Sequence, residues 1–404
     1  MSFAVHQQCN EINLLISQIP FSFPSILGLK DIVINDVLDI QVIIQHLSFG
    51  GKFTTEAVTY ILQRASQVFK QEPNVVEINS PCTIIGDTHG QFYDLLNFFS
   101  TVSSGRYVCL GDYVDRGDYG VELFLLLCSL KVVFPSQFII LRGNHETRSV
   151  TTQNQFKNEC LMKYNEDVYN SFIYTFQCLP LCCLVSTLHS RYFCVHGGIS
   201  DRLATIDDIN KLNRFCEPTR DSPLEDLLWS DPLNEDEIFS VSIGDTSITS
   251  HLSSCQSNHF PFIKQSLKMY FNEQAINRVV PWFETTFVPN WVRRYGHKIG
   301  YSALKQFNEK NNITTIIRGH QYVNSGYQCM YYLVEETPLL CTVFSAPNYM
   351  GECCNVGGYI QISDDSFITK TFKTVTKGFV VKEYILNFGE TSLFEKIIGS
   401  NVSC

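Results

Sequence analysis

Hydrophobic positions along the chain change their period near residue 80. Before that point they recur at three- and four-residue spacings. Val58, Ile61, Leu62, Ala65 and Val68 follow Thr54 and a Gly50-Gly51 break, a pattern that predicts an amphipathic helix. From residue 82 onward, short runs of β-prone apolar residues alternate with longer helical stretches. The runs are 82–85, 107–110, 138–141, 192–195, 315–317 and 339–344. Runs of that length and composition predict buried strands. Residues 91–100 and 121–133 predict intervening helices, and the alternation as a whole predicts a layered α/β domain. Residues 233–289 break the rhythm. They are rich in Ser, Asn and Phe, with mixed helical signals near 262–271, and read as a partly helical insertion. Residues 378–404 read as an appended tail with a short amphipathic piece at 393–398. The expected organisation is a mainly helical region over 1–80 packed on a main domain over 81–377, followed by that tail.

Composition narrows the function classes. The chain has 404 residues, 45% of them hydrophobic and 17% charged, which supplies ample material for a core and leaves little room for long solvated disorder. Its net charge of -10 argues against a nucleic-acid binder, which needs a basic face. No apolar stretch reaches the length of about 20 residues that a spanning helix needs, so no membrane span is expected. No basic residue precedes Lys30, which argues against a signal peptide and places the protein in the cytoplasm, with the nucleus also open. In that setting the 16 cysteines read as reduced, buried thiols rather than a disulfide frame. The adjacent pairs Cys182-Cys183 and Cys353-Cys354 are poorly spaced for a shared zinc site.

Chemistry gathers where the predicted strands end. The run 82–85 leads into Gly86-Asp87-Thr88-His89-Gly90, and 107–110 into Gly111-Asp112-Tyr113-Val114-Asp115-Arg116-Gly117. The run 138–141 leads into Arg142-Gly143-Asn144-His145-Glu146, 192–195 into His196-Gly197-Gly198, and 315–317 into Arg318-Gly319-His320. Ligands of α/β sheets collect beyond the carboxyl ends of strands. The flanking glycines permit tight turns and close backbone approach. The donor set is rich in oxygen and imidazole and has no thiolate, which suits two hard-to-borderline cations such as Mn, or Fe with Zn. A bridged pair about 3.5–4 Å apart clamps both the attacking and the leaving oxygen of a phosphoryl transfer.

These blocks, with Ser345-Ala346-Pro347-Asn348-Tyr349, resemble the signature blocks of the phosphoprotein phosphatase family of Ser/Thr phosphatases over about residues 40–375, apart from the insertion. The chain looks most like the calcineurin branch. Gln71-Glu72-Pro73-Asn74, Phe156-Lys157-Asn158-Glu159-Cys160 and Leu228-Trp229-Ser230-Asp231-Pro232-Leu233 echo that branch. The resemblance implies two packed mixed β-sheets flanked by helices, with a dinuclear metal site at strand ends. One metal would be held by Asp87, His89 and Asp112, the other by Asp112, Asn144, His196 and His320, with Asp112 bridging. A metal-bound hydroxide would attack phosphorus in line, His145 would protonate the leaving serine or threonine oxygen, and Asp115 would orient His145. Arg116, Asn144 and Tyr349 would contact the phosphate. A further phosphate-binding arginine is implied in Arg293-Arg294-Tyr295-Gly296. Counting back from His320 favours Arg293, while Arg294 stands where a glycine is usual.

The insertion either reshapes access to the site or decorates the surface. The resemblance implies phosphoprotein substrates and a calcium-binding regulatory subunit, for which 388–400 offers a short amphipathic docking segment. A basic calmodulin-target helix is not evident, so calmodulin is not supported. Two other readings stay open: a metallophosphoesterase acting on nucleotides or diesters, and an inactive scaffold with the same fold. The complete ligand set argues against the scaffold.

Overall fold

The computed structural model describes residues 25–234, 283–332 and 335–375. The helical signals expected near 262–271 and the tail over 378–404 lie outside the described residues, as does most of the predicted insertion.

The described chain opens with a short helix, α1 (Leu29–Ile32), and a small hairpin of β1 (Val33–Ile34) and β2 (Val37–Leu38). Two capped helices follow, α2 (Ile40–Ser48) and α3 (Thr55–Gln71). The Asp39 carboxylate accepts from the amides of Gln41 and Val42, and the Thr54 hydroxyl accepts from the Ala57 amide. Each cap satisfies amides that have no partner within their helix. α3 buries Val58, Ile61, Leu62 and Ala65 as the spacing predicts; Phe69 completes the stripe, and Val68 is only half-buried.

The remaining elements alternate. They are β3 (Val75–Asn79), β4 (Cys82–Ile85), α4 (Phe92–Thr101), β5 (Tyr107–Cys109), α5 (Gly120–Val133) and β6 (Phe138–Ile140), then α6 (Arg148–Gln153), α7 (Phe156–Lys163), α8 (Glu166–Cys178), β7 (Cys182–Ser186) and β8 (Arg191–Val195). After α9 (Ile206–Asn210), α10 (Pro223–Trp229) and β9 (Asp231–Pro232), the described chain resumes with β10 (Phe287–Pro289), β11 (His297–Ile299), α11 (Tyr301–Asn311), β12 (Thr315–Arg318), β13 (Tyr327–Met330), β14 (Leu340–Val343), β15 (Gly357–Ile362) and β16 (Phe367–Phe372).

Two mixed sheets carry the site. One has the order β13-β14-β12-β8-β7-β3 and the other β16-β15-β4-β5-β6. β8, β12 and β14 run parallel in the first, and β4, β5 and β6 run parallel in the second. Alternate residues of both sheets form one buried layer: Ile84, Val108 and Ile139 meet Cys183, Val185, Cys194 and Ile317. The other face of the first sheet packs on Leu304 and Phe307 of α11. The other face of the second packs on α4 and α5, in a cluster that also takes in Ile61, Leu62 and Phe69 of α3. Both faces of each sheet are therefore covered, which is why the parallel strands read as continuous apolar runs. α5 is buried all round from Gly120 to Lys131, as expected of a helix without a polar face. Each fully buried Leu or Phe stabilises the fold by about 1.5–3 kcal/mol.

The cysteines depart from expectation at one place. Cys329 and Cys341 are direct partners in the antiparallel β13–β14 register, with Cα atoms 4.1 Å apart, and are joined as a disulfide. Cross-strand proximity, invisible in linear spacing, brings them together. Cys82, Cys109, Cys128, Cys160, Cys182, Cys183 and Cys194 are buried free thiols, as expected.

Candidate active site

The parallel strands of both sheets point their carboxyl ends at one place. β4 delivers Asp87 and His89, β5 delivers Asp112, Asp115 and Arg116, β6 delivers Asn144 and His145, β8 delivers His196 and β12 delivers His320. Loop-to-loop bonds lock these ends together. The His89 amide donates to Asp112 O, the Gly319 amide to His196 O and the Ser345 amide to Asp87 O. Close approach explains two of the glycines. A Cβ at Gly143 would lie 2.4 Å from Asp112 Oδ1, and one at Gly319 would lie 2.4 Å from Asp87 Oδ1.

His89, Asp112, Asp115, Arg116 and His320 all hold left-handed backbone, with φ between 41° and 74°. Such strain costs roughly 1–3 kcal/mol per residue and persists only where neighbours hold it. Glu146 is one such neighbour. Its fully buried carboxylate accepts from the amides of Asp112, Tyr113 and Gly143 at 2.8, 2.8 and 2.9 Å.

The predicted ligands converge in two groups. Asp112 Oδ1 lies 3.2 Å from His196 Nε2, and Asn144 Oδ1 lies 2.8 Å from both His196 Nε2 and His320 Nδ1. On the other side, His89 Nε2 lies 3.7 Å from Asp112 Oδ2 and 3.8 Å from Asp87 Oδ2. The two oxygens of Asp112 thus face the two groups separately, an arrangement open to a carboxylate that lies between two cations. Outer contacts fix the imidazoles: His196 Nδ1 faces Leu110 O at 3.0 Å and His89 Nδ1 faces Val114 O at 3.1 Å. Each ring therefore donates outward and keeps its Nε2 lone pair for the centre.

That donor set fits two metal ions. Around Asn144, acceptor faces acceptor: an amide oxygen, a carboxylate oxygen and the lone pair of His196 crowd one point. Turning the amide over would let its nitrogen donate to these atoms, but the inward oxygen is the orientation a cation between them requires. Asp87 Oδ2 is buried and has no hydrogen-bond partner. Burial and the neighbouring Asp112 carboxylate push Asp87 up to about 7, and burial with the charge of His145 pulls His89 down to about 4. Buried carboxylates this close need positive charge to stay ionised.

His145 and Asp115 also meet. His145 Nδ1 lies 2.7 Å from Asp115 Oδ2, and both side chains are buried. Burial works against protonating His145, but Asp112 and Asp115 outweigh it and hold the imidazole at about 9. The Tyr349 ring lies 5.2 Å from the ring of His89. Arg116 is exposed and lines a cleft of about 330 Å³ with Gly90, Tyr119, Asn348 and Met350. Of the two candidate arginines, Arg293 reaches the centre: its Nε donates to Asp231 Oδ2 at 3.0 Å and its guanidinium to His320 O at 3.3 Å.

Glu146 and Asp231 stand inside two of the sequence blocks, where the sequence alone assigns them no role. Asp231 accepts from Arg293, Arg318 and Asn290, and its Oδ1 stands 3.9 Å from His320 Nε2. Glu146 carries a signal that could have found it, a carboxylate beside the ligand-type residues Asn144 and His145; the block around Asp231 has none.

Comparison with known proteins agrees with this geometry. The calcineurin-like phosphoesterase family profile matches residues 80–324. The chain is 34% identical over 333 residues to serine/threonine-protein phosphatase 2B catalytic subunit A2 of Saccharomyces cerevisiae, covering 81% of this chain and 51% of that protein. It is 34% identical over 330 residues to serine/threonine-protein phosphatase PP2A-like PPG1 of the same yeast, covering 80% of this chain and 77% of that one. A solved Saccharomyces cerevisiae protein serine/threonine phosphatase, described as similar to human phosphatase PP5, superposes with a TM-score of 0.63 at 28% identity, covering 81% of this chain and 92% of that one. This chain spans about half the length of its phosphatase 2B relatives. By profile, identity and fold, the chain belongs to the calcineurin-like phosphoesterase family, among its serine/threonine protein phosphatases.

Proposed function

We propose that the chain is a metal-dependent serine/threonine protein phosphatase that hydrolyses phosphoserine and phosphothreonine. The observation that carries this reading is the joint presence of two convergent ligand groups and a buried His145–Asp115 pair beside them. Asp87, His89 and Asp112 would hold one cation, and Asp112, Asn144, His196 and His320 the other. Manganese, or iron with zinc, suits these donors. When bound, the cations supply Lewis-acid charge at phosphorus and make water a nucleophile near neutral pH.

The chain's own residues do the rest. Asp115 fixes His145 with Nδ1 outward, so Nε2 faces the centre and can deliver a proton to the leaving serine oxygen. Arg116 and Arg293 grip phosphate oxygens, for which a guanidinium fork is well matched, with Asn144 and Tyr349 as further walls. In this reading the catalytic unit spans 81–377, with the helical region over 1–80 packed on it. No helix among the described residues is long and apolar enough to cross a membrane. The proposal includes a cytoplasmic or nuclear location and, from the family resemblance, docking of a calcium-binding regulatory subunit at the amphipathic segment 388–400; calmodulin is not part of it.

Phosphate release from a phosphothreonine peptide tests the reading. Turnover should depend on added metal and fall by roughly 10²-fold or more in His145→Asn. Preferred hydrolysis of a dinucleoside polyphosphate would instead favour the wider phosphoesterase reading.

A further inference from the structure

Asp115 is itself held from behind. Its Oδ2 faces His145, while its Oδ1 accepts from the amides of Gln155 and Phe156 at 3.0 and 2.7 Å. Those amides begin α7, so the seat of α7 sets where Asp115 can stand. One turn further along α7 is Glu159, only 6% exposed. Its carboxylate accepts from the Gly120 and Val121 amides at 3.2 and 2.8 Å, in the first turn of α5. Gly120 is packed against α7 so closely that a Cβ there would lie 3.0 Å from Glu159 Oε2 and 3.1 Å from the Phe156 ring.

Lys163, on the same face of α7, completes the tie. Its ammonium donates to Glu159 at 2.7 Å, Glu122 at 2.6 Å and Asp118 O at 2.8 Å, which uses all three of its donors. The segment under this tie needs outside support, because Asp115 and Arg116 hold φ of 67° and 74° in succession.

We propose that Glu159 is a positioning residue for proton delivery to the leaving group. It ties α7 to the start of α5, the α7 amides hold Asp115, and Asp115 holds His145. The inference rests on the phosphatase reading. In that reaction the oxygen of a water joins phosphorus as the bond to the serine oxygen breaks. The His145 proton passes to the departing serine oxygen, and the proton lost by the water restores the imidazolium over the cycle. A misplaced imidazole therefore slows release of an alkoxide far more than release of a group that departs as a stable anion.

The test compares two substrates on the full chain loaded with manganese: a phosphoserine peptide, and p-nitrophenyl phosphate, whose phenolate leaves without a proton. In Glu159→Ala, the ratio of peptide kcat to aryl phosphate kcat should fall about tenfold or more. Glu159→Gln keeps an oxygen for the Val121 amide and should recover most of that ratio. Should the alanine variant not fold, Lys163→Met is read the same way and should also lower the ratio. An unchanged ratio overturns the inference, whether both rates drop together with the melting point or neither moves. Wild-type protein inert on both substrates overturns the phosphatase reading and this inference with it.

Discussion

Glu146 collects three backbone amides on one carboxylate that never meets water. Two of those amides belong to Asp112 and Tyr113, so the bond network holds the left-handed turn that presents the Asp112 carboxylate to both candidate ligand groups. Glu146→Gln should destabilise the fold by about 1–3 kcal/mol in denaturant titration, the cost of leaving a buried backbone amide without its acceptor. It should also bring bound metal, by elemental analysis, below two ions per chain. Arg116 stands at the opposite extreme: it is exposed, lines the cleft, and in the proposed function meets the substrate phosphate. Arg116→Ala should raise KM for a phosphopeptide roughly 10–100-fold while shifting stability by less than about 0.5 kcal/mol. The candidate metal ligands were legible in the sequence because each stands within about four residues of the end of an apolar run, beside a glycine. The tasks of Glu146 and Asp231 were not, because they depend on amides and guanidinium groups that other strands bring in.

At the scale of elements, each of the six predicted strands lies within about a residue of its place, since buried parallel strands leave unbroken apolar runs. β3 and β16 escaped notice because they lie at sheet edges and carry polar residues. β7 lay hidden in an apolar stretch too short to read as a span, and nothing local marked β15 as the bridge between β4 and β16. The element that seats Arg293 has its own electrostatic tie. His297 in β11 lies 3.1 Å from Asp226 in α10, and the hydrogen bond to that carboxylate raises the imidazole above its usual value. A raised imidazole contributes stability that is fully present below about pH 6.5 and lost as pH rises through the higher folded value. Wild type should therefore exceed His297→Gln by up to about 1 kcal/mol at pH 6, and the gap should close by about pH 9. A gap independent of pH would show that the pair contributes through packing instead.

For the whole molecule, the two sheets share a core on one side and a buried cluster of candidate metal ligands at their common end. Burial and the neighbouring Asp112 carboxylate raise Asp87, whereas at Asp112 burial is outweighed by His196 and His145, which hold it well below its ordinary value, so Asp87 is the carboxylate that gains most from an added cation. Removing the cations should therefore loosen the junction between the sheets. Chelation followed by dialysis should lower the thermal midpoint, and restoring manganese at about 100 times its dissociation constant should return about 2.7 kcal/mol per site. Asp87→Asn, which relieves the crowding of charge, should show a smaller difference between metal-loaded and stripped protein.

The measurement that bears most directly on the account is phosphate release from a phosphoserine peptide by the metal-loaded full chain, beside Asp87→Asn and a stripped sample. Turnover present in the loaded wild type and lost in both controls is the predicted result. Two bound metal ions with no turnover on phosphoserine or phosphothreonine peptides would contradict it.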